Sequence, residues 1–497
     1  MKTRYNKIFW IAPLMVFALS WAGCKKDWLE RLPQGRYTED DIPAGSLEGR
    51  VFAAYAALRG DGISGLSYVA VHNIRSDDAN KGSATNDGVD AEVFFDNFQY
   101  VTDFWLLNGY WTSHYELISA TNNVISAADS LELDSASLVN VGEAKFLRAF
   151  AYFNLVRAFG EVPLIDFRII NPEDAIVPKS PVDEIYALID ADLEAAIGVL
   201  PLDWPKYPGR VTRGAALALQ AKTFLYRQQW AAALASAESV INSGMYDLSV
   251  PYDEIFTEEQ ENSKESVFEI QAMYRQGQTT YGLNYASRQG VRGAGEWNLG
   301  WGWNTPTESL ASAFEPGDPR KDVTLLYAGQ VNEPYGESVP PATANVPRPY
   351  WNKKVYTNPA IRDATGSQGG QWFNMRVIRY ADVVLMAAEA ANEAGNSAKA
   401  LEYLEQIRER ARGGNDAVLP EVTTTDQVAL RNAIRHERRV EMGMEDERFF
   451  DLVRWGIVQD VMHAAGKTGY QHRNRYLPIP QPEIDKSGGV LIQNDDY

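Results

Sequence analysis

A single cysteine, Cys24, occurs in 497 residues. One thiol forms no internal disulfide and no thiolate metal cluster. Histidine is nearly as scarce: the five, at 72, 114, 436, 463 and 472, have no metal-ligand spacing, and His72 and His114 are read as surface or core residues. Basic residues fall short of acids by 19, which removes the positive surface that nucleic acid requires. The apolar run Ile8–Trp21 is 14 residues long and broken by Pro13, too short and too interrupted for a stable membrane-spanning helix. The catalytic signatures H-E-x-x-H and G-x-S-x-G, the P-loop and the dinucleotide fingerprint are missing too.

The apolar run instead completes a targeting segment over 1–23. Lys2, Arg4 and Lys7 precede it, and the small residues Ala22 and Gly23 lead into Cys24. Cleavage there leaves an N-terminal cysteine, the residue bacteria acylate to make a lipoprotein, so Cys24 is the expected lipidation site. Trp21 stands where such signals usually carry an aliphatic residue, and an ordinary secretory peptide ending near a cysteine is the alternative. Several acyl chains, at about 0.8 kcal/mol per buried methylene, anchor a protein firmly.

Apolar residues make up 45% of the chain, enough for a substantial core. From Leu47 the pattern is helical. Over 140–159, Phe146, Ala149, Phe150, Phe153 and Val156 line one face, and Leu147, Ala151, Leu155 and Ala158 another, which predicts a helix buried between neighbours. The segment 181–200 supplies a further helix with Ser180 as its expected cap. Residues 216–241 resemble 383–407 at a constant offset: Leu217 matches Val384, Ala221 matches Ala388, Leu234 matches Leu401 and Val240 matches Ile407. Both read as two helices joined by a short turn, with alanine where they touch. That is the pattern of tetratricopeptide-like hairpins, which must stack to bury their faces. The expected fold is mainly α, with hairpin scaffold over about 47–60, 115–243 and 377–456.

Two stretches depart from this pattern, 61–114 and 245–376. The segment 277–304 alone holds seven glycines, three tryptophans and two tyrosines. Long loops in a compact protein carry function, and aromatic content of this kind argues against disorder. The acidic "DDANKG" at 77–82 lacks the rest of a calcium loop and reads as a solvated turn. Near the C-terminus, His436–Gly456 packs six acids, four arginines and three aromatics into one helical-looking segment. Arg438 and Glu441, and Arg448 and Asp451, are spaced to pair along a helix. Val440 and Met444 share a face, and Phe449, Phe450, Val453 and Trp455 are placed to plug the core before Gly456. Nothing in the segment marks a nucleophile or base, so it reads as framework.

Four stretches, "GEAKFLRAFAYFNLVRAFGEVPLI" (142–165), "RYADVVLMAAEA" (379–390), "HERRVEMGMEDERFFDLVRWG" (436–456) and "YLPIPQPEID" (476–485), resemble successive signatures of the SusD/RagB family. The start "CKKDWLE" also resembles the mature N-termini of these lipoproteins, where an early charged stretch directs export to the cell surface. Gly443, Asp446 and the terminal "QNDDY" depart from the usual pattern, with local packing expected to absorb them. The resemblance implies a single SusD-like domain over 24–497. It implies an outer-membrane lipoprotein of Bacteroidetes that faces the exterior and captures oligosaccharides as a lid on a SusC-like TonB-dependent transporter. The helices contact the transporter, the loops hold the glycan, and there is neither catalysis nor a cofactor.

A sugar ring has an apolar C–H face and a rim of hydroxyls, so its site needs flat aromatic platforms beside planar hydrogen-bonding groups. Within 277–304, Trp297, Tyr281 and Tyr285 are the expected platforms, and Arg288, Asn284 and Arg292 the expected hydroxyl partners. Trp105 and Tyr100 are candidates from the other excursion, while Trp301 and Trp303 are assigned to the core. Two other functions fit the composition. A secreted glycoside hydrolase needs two carboxylates about 5–10 Å apart, and no pair stands out among the acids. A binder of peptides or another nutrient would use the same aromatic loops.

Overall fold

The computed structural model describes residues 46–274 and 281–497. Cys24 and the targeting segment lie outside the described residues. The scaffold is a series of antiparallel helices. In chain order its main members are α1 (Leu47–Ala57), α2 (Trp105–Ala128), α3 (Ser135–Phe159), α4 (Val182–Val199), α5 (Arg213–Tyr226), α6 (Trp230–Ile241), α7 (Tyr380–Glu393), α8 (Ser397–Arg412), α9 (Gln427–Glu441) and α10 (Arg448–Arg454). Each of α1 to α6 packs on the next, α6 packs on α7, and α7 holds α8 and α9, so successive hairpins stack. Helix α2 starts at Trp105, ten residues inside the stretch expected to be irregular, so that excursion ends at 104.

Packing follows the apolar pattern. Every residue of α3 from Phe146 to Phe159 is buried, because neighbours cover both apolar faces. The two repeated segments are the hairpins α5–α6 and α7–α8. Ala218 and Ala221 of α5 and Ala387 and Ala388 of α7 are fully buried. Ser180 does not cap α4: it lies in a two-residue strand, and the cap position falls to Pro181 without a side-chain hydrogen bond.

Two short antiparallel ladders fasten the excursions to each other and to the helices. β1 (Ala79–Gly82) pairs with β3 (Trp303–Pro306), with Ala79 opposite Pro306 and Gly82 opposite Trp303. β2 (Ser266–Ile270) pairs with β4 (Met375–Arg379) and closes the second excursion at its base. The "DDANKG" stretch is not a solvated turn. Asp77 and Asp78 are buried, Arg448 Nε donates to Asp77 at 2.8 Å, and Arg439 Nε donates to Asp78 at 2.8 Å.

The His436–Gly456 segment is framework, through partners other than those its spacing suggested. Helix α9 ends at Glu441, and Met444 and Asp446 then adopt positive φ of 67° each before α10 begins. This break turns the charges toward distant elements. Arg438, 2% exposed, binds Asp451 at 2.7 Å and Asp382 at 2.5 Å. Asp382 also meets Lys222 at 2.8 Å, which in turn meets Glu447 at 2.9 Å. Glu441 faces Arg320, Arg379 and Arg410 rather than Arg438. Burial drives its carboxyl pKa up, but these three guanidiniums with Lys354 outweigh that and hold it at about 2. His72 is buried between the Tyr110 hydroxyl, at 2.9 Å, and the Asp446 carbonyl, at 3.2 Å. Burial lowers its pKa well below the usual imidazole range, so it packs as a neutral core residue. His114 is likewise buried, and it contacts the Tyr110 carbonyl at 2.8 Å.

Candidate functional site

The second excursion folds a tight loop over 284–301. A helical turn, Tyr285–Gln289, leads into Gly290, and the chain then doubles back. Leu299 and Gly300 both donate to the Val291 carbonyl, at 3.1 and 3.2 Å, and Trp301 donates to the Ser287 carbonyl at 2.9 Å. Glycine is required at the base of this loop. A Cβ on Gly290 would lie 2.7 Å from the Leu299 carbonyl oxygen, and one on Gly300 would lie 2.3 Å from that of Ser287. Beneath the loop, Val291 and Leu299 pack with Leu326, Val339, Trp351 and Tyr356 in a small apolar cluster of their own.

Above it lies a cavity of about 740 Å³ whose lining includes Asn284, Ser287, Arg288, Arg292, Trp301 and Gln371. The Arg288 guanidinium carbon sits 3.9 Å from the centre of the Trp301 ring. A planar cation over an indole face is attracted by the ring's quadrupole and held in a fixed plane. The nearest carboxylate to Arg288 is Asp61 at 3.7 Å, and the nearest to Arg292 is Asp87, also at 3.7 Å. Both are ion pairs without a hydrogen bond. The buried Arg288 Nε has no hydrogen-bond partner among the described residues.

The structure thus gathers three of the expected residues, Asn284, Arg288 and Arg292, around one cavity. It places the others elsewhere. Tyr285 is 6% exposed and donates its hydroxyl to Asp446 at 2.8 Å, so it is a core strut and not a platform. Burial raises the Asp446 carboxyl pKa to about 8 even against that hydrogen bond. Trp297 is half-buried and lies nearly parallel to Tyr356, with ring centres 6.5 Å apart, in the cluster beneath the loop. Its ring is occupied by packing and does not line the cavity. Tyr281 is exposed, with the Arg59 guanidinium 6.0 Å from its ring, also outside the lining. Trp105 is 51% exposed at the start of α2, and Tyr100 stacks on Phe94 at 4.6 Å; neither reaches this cavity.

Trp301, which sequence reasoning assigned to the core, instead lines the cavity. It is 40% exposed, while Trp303 is 3% exposed and matches its core assignment. In extended chain, residues two apart share a face. Gly302 breaks that rule with φ +70°, and the two indoles diverge by 58°. The glycine between the tryptophans in "GWGW" was the available signal. Gln371 was also missed; it comes from a distant segment that the loop reaches through the Leu283 amide and the Gln371 carbonyl at 2.9 Å.

Comparison with known proteins agrees with this architecture. A family model described as "SusD family" matches residues 264–497, and one described as "Starch-binding associating with outer membrane" matches residues 66–225. SusD-like protein P2 of Formosa agariphila is 30% identical, over 97% of this chain and 98% of that protein. Among solved structures, a laminarin binding SusD-like protein is 28% identical with a TM-score of 0.77, covering 91% of this chain and 99% of that one. Surface glycan-binding protein A from Bacteroides fluxus is 26% identical with a TM-score of 0.77, covering 92% of this chain and 100% of that one. The chain belongs to the SusD/RagB family.

Proposed function

We propose that this protein is a lipid-anchored glycan-binding protein on the outer face of the outer membrane. In this reading it captures oligosaccharides in the cavity between Arg288, Arg292 and Trp301 and delivers them to a SusC-like TonB-dependent transporter. The observation that carries it is the Arg288–Trp301 stack facing a cavity rimmed by Asn284, Arg292 and Gln371. The exposed indole offers a face to sugar C–H bonds, and the planar donors beside it suit hydroxyls. The laminarin binding relative, similar along nearly its whole length, supports the ligand class. The family model that names starch binding and the outer membrane supports the location. Among the described residues no Asp or Glu lines the cavity, which favours binding over hydrolysis by a carboxylate pair.

The test is calorimetric titration with a panel of oligosaccharides that includes laminari-oligosaccharides, together with an assay for released reducing ends. Saturable binding without release is expected. Release of reducing ends would overturn the non-catalytic reading, and failure of the whole panel to bind would overturn the glycan reading. For the anchor, Cys24→Ser is expected to move the protein from the membrane to the soluble fraction, and protease added to intact cells is expected to digest the wild type. Mild solubilisation of native membranes is expected to recover the chain with a large β-barrel protein; recovery as a free monomer would count against the partner.

A further inference from the structure

The cavity above the loop has a neighbour. A second cavity, of about 380 Å³, shares Arg292, Gly293 and Ala294 as a common wall with the first. Its far side is formed by 340–348 and Trp351. Each volume falls within the range that takes a small ligand, and the two cavities, adjacent across 292–294, form one candidate trough.

The charge of this trough is opposite to that of the molecule. The chain carries 66 acids against 47 bases. Yet Arg288 and Arg292 line the first cavity and Arg292 and Arg348 the second, and among the described residues no Asp or Glu lines either. Glu296, on the turn that ends the ridge, is exposed and lines neither. Other cavities follow the bulk composition. One of about 580 Å³ is lined by Glu116, Glu173 and Glu483 against Lys486, and one of about 360 Å³ by Asp247 and Glu409 against Arg410.

The three guanidiniums are also incompletely compensated. Asp61 and Asp87 stand 3.7 Å from Arg288 and Arg292, beyond hydrogen-bond reach. Arg348 donates to the backbone carbonyls of Ser83, at 3.1 Å, and Gly82, at 3.3 Å, and has no ion pair among the described residues. Those carbonyls fix its position and leave its charge in place. Planar guanidinium forks match carboxylate and sulfate oxygens, and such charge-assisted hydrogen bonds are stronger than those to neutral hydroxyls.

We infer that the ligand is an acidic oligosaccharide, bearing uronate carboxylates or sulfate esters, that lies across both cavities with its anionic groups on Arg288, Arg292 and Arg348. This rests on the glycan-binding reading above and narrows it.

The test is titration of the full chain with oligogalacturonate and with sulfated galactan oligosaccharides. Each is compared with its carboxyl-reduced or desulfated counterpart, and laminari-oligosaccharides serve as a further neutral probe. One acidic series is expected to bind about tenfold more tightly than its neutral counterpart, with the preference shrinking as NaCl rises from ~50 to ~500 mM. Which series wins distinguishes carboxylate from sulfate. Arg348→Ala is expected to cut the acidic-to-neutral ratio roughly fivefold, and Arg348→Lys to keep most of it. Should Arg348→Ala fail to fold, Arg348→Gln carries the same test, because its amide still donates to the Gly82 and Ser83 carbonyls without the charge. Equal or tighter binding of the neutral partners, a salt-independent ratio, or a ratio unchanged in both uncharged variants overturns the inference. Binding of laminari-oligosaccharides alone overturns it while leaving the glycan reading intact, and binding of no probe overturns both.

Discussion

Two arginines of this molecule, Arg438 and Arg288, are held in place by different means, with opposite consequences. At the junction of α9 and α10, Arg438 is 2% exposed and held by Asp382 and Asp451 at hydrogen-bonding distance. Above the 284–301 loop, Arg288 lies over Trp301 with its carboxylate 3.7 Å away and a nitrogen without a partner. The residue types are alike. What separates these two is whether a carboxylate is held at hydrogen-bonding distance. A guanidinium whose hydrogen bonds are all made inside the protein has nothing left for a ligand, and one held in place by stacking keeps donors for it.

Breaking the buried half of this comparison has the largest expected effect. Arg438→Ala removes the cation shared by Asp382 and Asp451, leaving them Lys222 and Arg454 respectively, and is expected to cost about 3 kcal/mol, read as a large fall in melting temperature. The folded fraction is expected to bind ligand normally; a wild-type melt with lost binding would place the site here instead. Next is Trp297→Ala, which removes a half-buried ring from the cluster beneath the loop. A loss of about 2 kcal/mol of stability is expected, below the ~3–5 kcal/mol of a fully buried indole, with ligand affinity nearly unchanged. Trp301→Ala should do the reverse. Affinity is expected to fall by about 1–2 kcal/mol, roughly tenfold in Kd, while the melting temperature moves little. If the two tryptophans exchange these phenotypes, the assignment of platform and packing is inverted.

A further expected effect is a pH dependence. The folded Asp446 carboxyl keeps its proton up to about pH 8, whereas an unfolded one loses it near ~3.9. Across that window the unfolded chain binds fewer protons, so the wild type loses stability as pH rises. Asp446→Asn removes this term. Its melting temperature relative to wild type is therefore expected to climb between pH 5 and pH 9; a constant difference would show that Asp446 is ionised when folded.

The helices were readable because their burial repeats in sequence. The two apolar faces of α3 and the matched alanines of α5 and α7 state their surroundings locally. The partners of charged residues do not. Arg448 has an acid three positions on, yet it binds Asp77, and "DDANKG" looks like a solvated turn until arginines from the far end of the chain cover it. Of the cavity lining, Asn284, Arg288 and Arg292 were legible because one short segment carries them. The choice between Trp297 and Trp301 was not, since it depends on the φ of Gly302 and on a cluster built from residues up to Tyr356. Tyr285 was misplaced for the same reason: its partner, Asp446, lies 161 positions away in sequence.

The pairing of Asp77 with Arg448 spans 371 positions. A chain that emerges from its N-terminus carries Asp77 and Asp78 through about three-quarters of its length before their cations exist. Until then the surrounding loop cannot be sealed, because burying bare carboxylates is prohibitive. The first excursion, and the wall that Ala84 and Asn86 lend to the second cavity, are therefore expected to set only after α9 and α10 have formed. Anything that shortens the C-terminus as far as α10 is expected to leave a molecule whose helices stack but whose mouth never closes.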